Sequence, residues 1–201
     1  MRLVLFLLLA VSAWAGSSFE DFLHATRLTQ FSANVLRDEQ SNFEHFAREI
    51  EHFSCLGDDG KKEAIAQLRT LQEWIQQNAA EIGDNLQKYM RQYLRSTFSN
   101  AEMWSILEVL DNTAYGKRLR AQMQQSNLDI LNLPFEATPA LYPSTDEKRD
   151  IEPEKLKVFL RFVSFETKRQ ILLGNKAYRK DLQQGIQKLQ EIFIKEGCAI
   201  E

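Results

Sequence analysis

All four prolines of this chain fall between Pro134 and Pro153. Proline removes a backbone donor and breaks a helix interior, so the rest of the chain lacks the strongest helix breaker. Glycine is scarce too, at eight of 201 residues. In that background apolar residues recur at spacings of three and four, the period of a one-sided helix. No run alternates with the period of a strand. Phe43, Phe46, Ile50 and Phe53 make one such stripe; Tyr178, Leu182, Ile186, Leu189 and Phe193 make another. The pattern predicts an all-α fold, an irregular bundle of about five to seven helices in a single domain.

The punctuation sets the expected boundaries. A first helical segment runs from a Ser18 cap to Phe53, with a polar break at Asp38–Asn42. Further helices are expected over 61–78 and 82–97, followed by two short ones. Residues 133–153 read as a proline-containing loop or linker, dividing a helical region at 16–132 from a C-terminal hairpin at 154–201 packed on the same bundle. That hairpin is expected as one helix over 154–173, a turn at Gly174-Asn175, and one helix over 176–196.

Residues 1–15 have a different character. Arg2 is followed by an apolar run from Leu3 to Val11, then by Ala13-Trp14-Ala15. A charged start, a short apolar core and an A-x-A site read as a secretory signal peptide. The run is shorter than the ~20 residues needed to span a bilayer. The expectation is an exported protein, in a Gram-negative periplasm or otherwise secreted, with no transmembrane segment after the leader. No Asn begins an N-x-[ST] sequon.

Two cysteines, Cys55 and Cys198, follow the leader. An even pair in an oxidising compartment is expected to form a disulfide, here closing a very long loop. Two buried thiols are the alternative.

The formal net charge is −3. Nucleic-acid binding proteins carry a basic footprint, and this chain does not. Lys88, Arg91 and Arg95 alternate with Tyr89 and Tyr93, but they follow helical phase, charges outward and rings inward. His45, Glu49 and His52 sit at i, i+4 and i+7, so they share one helix face and are of the types that bind zinc. That face is opposite the Phe43/Phe46/Ile50 stripe and reads as solvated. No nucleophile elbow or phosphate loop occurs, and His24 beside Asp21 reads as a surface pair. No cofactor and no catalytic group are expected.

The best-formed local motif is Ser99-Asn100-Ala101-Glu102, a capping box, with Phe98 and Met103 placed for a hydrophobic staple. Thr113 is positioned to cap a helix carrying Tyr115, Gly116 and Leu119. The stretch from Phe98 to Leu119 resembles the core motif of a secreted bacterial family, the domain of unknown function (DUF) 2059 group. Phe98, Ser99, Glu102, Met103, Ile106 and Leu107 carry the likeness, with Thr113, Ala114, Tyr115, Gly116 and Lys117 after them. Val109-Leu110 stands where that family has an aromatic pair, and Ala114 where it has proline. The resemblance extends loosely over 18–123. It implies an all-helical envelope protein without an assigned reaction.

The functional expectation that follows is a non-enzymatic envelope protein acting through helix faces on a protein partner or a second copy. The alternative is a carrier or sensor of a hydrophobic, lipid-like small molecule held in a cavity between phenylalanine-rich helices. An enzyme is third.

Overall fold

The computed structural model describes residues 19–174 and 176–198. The expected leader at 1–15, the expected Ser18 cap and the Asn175 turn position lie outside them, and so does the side chain of Tyr178. Among the described residues there is no strand. The helices are α1 (19–25), α2 (Phe31–His52), α3 (Asp58–Gln77), α4 (Ala79–Thr97), α5 (Asn100–Asn112) and α6 (Ala114–Ser126). They continue with α7 (Thr145–Arg149), α8 (Pro153–Phe162), α9 (Phe165–Gly174) and α10 (Lys176–Lys195). The fold is all-α, with more helices than the five to seven expected.

The departures from the expected boundaries have local causes. The first segment breaks at Arg27, not at Asp38–Asn42. Arg27 takes a left-handed φ of 57°, and α2 then runs unbroken through the polar stretch. A left-handed non-glycine residue needs outside support. Arg27 has it: its guanidinium donates to Met123 O and to Asn127 Oδ1, and Asn127 is itself left-handed at φ 54°. The helix expected over 154–173 is two, because Ser164 Oγ accepts the Thr167 amide (3.3 Å) and starts α9 anew.

The chain groups into two compact units. One comprises the described residues up to Phe31 together with Met90–Gln170; the other comprises Ser32–Tyr89 with the described residues from Ile171 onward. In the first unit α5 packs on α6 and α8. Its core includes Phe22, Phe98, Tyr115, Phe159 and Phe162, all nearly free of solvent contact. Phe162 meets Phe98 edge-on at 5.7 Å and Phe22 at 5.4 Å between ring centroids. The expected cap is present: Ser99 Oγ accepts the Glu102 amide, and Glu102 Oε2 accepts the Ser99 amide (2.8 Å). Phe98 and Met103 are buried beside it. Thr113 Oγ1 accepts the Gly116 amide (2.9 Å) and caps α6.

Gly116 has a second role. A Cβ there would lie 2.1 Å from Val109 O and 2.5 Å from Leu110 Cα. Only the absence of a side chain lets α6 approach the backbone of α5 this closely. The proline-containing segment is an ordered part of this unit. Leu131, Leu133, Phe135, Leu141 and Ile151 are buried. Arg118 on α6 holds it from outside, donating to Ala140 O (2.6 Å), Tyr142 O (3.2 Å) and both carboxylate oxygens of Glu147 (3.0 and 2.9 Å).

In the second unit α10 packs on α3. Ile50, Leu56, Ala64, Leu68, Leu189, Ile192 and Cys198 form one buried cluster. The Cys55 and Cys198 sulfurs lie at bonding distance, 2.07 Å, across 143 residues of sequence. Glu196, just beyond α10, reaches the start of α3, where its Oε2 accepts the Gly57 amide (3.2 Å). Gly57 has no side chain with which to cap α3, so a carboxylate from the other end of the unit takes that place, where the helix dipole favours negative charge.

Candidate ligand-binding groove

Helix periodicity says which residues share a face, but not whether anything covers that face. The difference decides the site. The stripe Phe43, Phe46, Ile50, Phe53 predicts uniform burial, and the structure corrects it. Ile50 is fully buried, Phe43 and Phe53 are half-buried, and Phe46 is 37% exposed. On α10 Leu189 is buried, but Ile186, also expected inward, is 42% exposed.

These half-covered residues face a common space. An open groove of about 560 Å³ lies within the second unit. Phe43 and Phe46 of α2 and Phe53 just beyond it form one wall, Leu182, Ile186, Leu189 and Phe193 of α10 the other, and Leu68 of α3 contributes from beneath. Glu39, Asn42 and Gln190 add polar groups. Ligand pockets typically measure ~300–1,000 Å³, are mostly apolar, and carry a few polar groups that fix orientation. This groove has that size and that chemistry.

Three of the lining rings lie against one another. Phe53 and Phe193 meet edge-on, with centroids 5.6 Å apart. Phe46 stands 6.3 Å from Phe53 and 6.4 Å from Phe193. These separations suit aromatic pairing. Phe53 is two residues before Cys55 and Phe193 five before Cys198, so the disulfide joins the two chain segments that carry these rings.

The other candidate groups stand apart from it. His45, Glu49 and His52 are all exposed on α2. Among the described residues no three His, Cys, Asp or Glu side chains are grouped to hold a metal ion. Arg91 pairs with Glu20 and Arg95 stacks over Phe19 at 4.3 Å, so both are engaged within the first unit. Phe98, Ser99, Glu102, Met103, Thr113 and Gly116 serve helix capping and packing in that unit. Burial pushes the Tyr115 hydroxyl well above its usual range. Glu147 is drawn down to about 2, first by the hydrogen bonds from Arg118 and then by the Ser144 amide. Neither group opens onto the groove.

Among the described residues no helix is long and apolar enough to cross a membrane. Compared with family models, curated proteins and solved structures, the chain shows no significant match.

Proposed function

We propose that this is a non-enzymatic exported protein that binds one hydrophobic, lipid-like small molecule in the α2/α10 groove, as a carrier or a sensor. The observation that carries the reading is the groove: about 560 Å³ walled by Phe43, Phe46, Phe53 and Phe193 together with aliphatic side chains. Leaving Phe46 and Ile186 part-exposed costs hydrophobic stabilisation that a closed core would retain. An apolar occupant recovers it. The leader pattern at 1–15 and the cysteine pair at bonding distance support export. Docking of a protein partner is the second reading, favoured by the 66% exposure of Ile194 next to Phe193 on α10.

The test is a titration of the full oxidised chain with the neutral dye Nile red. Saturable binding is expected, and Phe46→Asn with Ile186→Asn is expected to weaken it by at least about tenfold, the factor that corresponds to ~1.4 kcal/mol. Both side chains are part-exposed, so the fold should survive their replacement. Absence of saturable binding to the wild-type chain would contradict the reading.

A further inference from the structure

The cysteine pair sits where a structural staple and a ligand gate would coincide. Cys55 follows α2 by three residues, and Cys198 follows α10 by three. Those two helices are the two walls of the groove. The turn that carries Cys55 also carries Phe53, one of the three clustered rings that line the groove. Phe53 lies beyond the regular helix, so the course of that turn sets its position.

The two cysteines stand in unlike surroundings. Cys55 is exposed, whereas Cys198 is only 8% exposed within the cluster of Ile50, Leu56, Ala64, Leu68, Leu189 and Ile192. Exposed disulfides are the labile ones, because exchange requires direct access of a thiolate to a sulfur. After reduction the Cys198 thiol suits its apolar site, since a free cysteine behaves as a small hydrophobe. The buried cluster and the Glu196 contact to Gly57 would still join α3 and α10. The Phe53 amide still donates to Ile50 O and Leu56 stays in the buried cluster, so what reduction removes is the tie between the 53–55 turn and the end of α10, which lets Phe53 shift against Phe193.

We infer that the Cys55–Cys198 disulfide is a redox gate on the α2/α10 groove, holding Phe53 against Phe193 when oxidised and lowering ligand affinity when reduced by a dithiol. This rests on the ligand-binding reading above. The exchange is balanced. A dithiol thiolate attacks Cys55 Sγ, the S–S bond breaks, and Cys198 leaves as a thiolate that takes up a proton. The second thiol of the reductant then attacks the mixed disulfide and releases the Cys55 thiolate. The protein gains two electrons and two protons; the dithiol becomes a disulfide.

The experiment measures Nile red affinity for the full chain before and after dithiothreitol, with thiols counted by mass spectrometry and helix content followed by circular dichroism. The expected result is a loss of affinity of about tenfold or more, with helix content kept. The Cys55→Ser/Cys198→Ser variant should bind as weakly as the reduced chain and ignore reductant. Bridging the reduced thiols with 1,3-dichloroacetone, which joins them by two thioether bonds, should restore affinity. Equal affinity in the oxidised and fully reduced chains would overturn the gate. So would global loss of helix on reduction, which would make the bond a simple staple. If the oxidised chain does not bind the dye at all, the ligand reading itself falls, a result distinct from either.

Discussion

The Phe53 ring meets the Phe193 ring at 79°, with centroids 5.6 Å apart, and neither ring is fully buried. In a closed core such a pair would be covered by a further layer. Here it lines an open groove, and Phe46 completes a triangle of rings. Rings left in this state have apolar surface to offer. Replacing Phe193 by alanine should therefore weaken Nile red binding by about tenfold or more. It should cost less stability than the ~3–5 kcal/mol of removing a fully buried phenylalanine. Dye titration and urea denaturation of the same variant separate the two effects.

The two glycines Gly116 and Gly83 should respond oppositely to alanine. At Gly116 the new Cβ would fall 2.1 Å from Val109 O, and backbone cannot yield as a side chain can. Separating α5 from α6 is expected to cost about 3 kcal/mol, at the upper end of overpacking penalties. At Gly83, inside α4, the nearest atom would be 3.7 Å away. Alanine there should stabilise by about 0.5–1 kcal/mol, from the smaller entropy lost on folding. Urea midpoints of the two variants check both signs.

Tyr115 carries a hydroxyl that is buried with no hydrogen-bond partner among the described residues. Its ring packs edge-on against Phe159 at 5.5 Å. Phenylalanine keeps the ring contact and removes the unpaired group, whose burial costs about 1–3 kcal/mol. Tyr115→Phe is expected to raise stability by about 1 kcal/mol, read from the same denaturation curve.

Acid should loosen the segment that Arg118 holds. The guanidinium and the Ser144 amide bring Glu147 down to about 2, below its ordinary value of 4.5. A depressed carboxylate stabilises the fold fully above its ordinary value, and that contribution is lost as pH falls toward the folded value. The urea midpoint of the wild-type chain should therefore drop as pH falls from about 4.5 to about 2. Glu147→Gln should show a smaller drop over that window. At neutral pH the variant should be less stable by on the order of 1 kcal/mol, as expected for a part-exposed pair. Amide exchange over 139–147 should be faster in Arg118→Ala.

Local chemistry was legible in the sequence where it acts locally. The Ser99/Glu102 box, the Thr113 cap and the helix start at Pro153 depend on residues within one turn, and each occurs as expected. The cysteine pairing was legible from the even count and the leader-like pattern at 1–15. The break at Arg27 was not, because its left-handed backbone is held by Met123 and Asn127, about a hundred residues away. The polar run Asp38–Asn42 misled for the converse reason: polar residues at helical phase need no break. The groove was half legible. The period picked out Phe43, Phe46, Ile186 and Phe193 as apolar faces, but cover is a tertiary property that no spacing encodes. Gly116 carried a visible signal, a glycine inside an otherwise helical stretch, whose cause is the closeness of the α5 backbone.

An apolar molecule held in the groove should survive transfer to the gas phase. Native mass spectrometry of the oxidised full chain, after incubation with a total lipid extract, should show a one-to-one adduct with a lipid-sized mass, lost when Phe46 and Ile186 are both replaced by asparagine. A bare wild-type protein under conditions that preserve its fold would rule out a lipid in the α2/α10 groove.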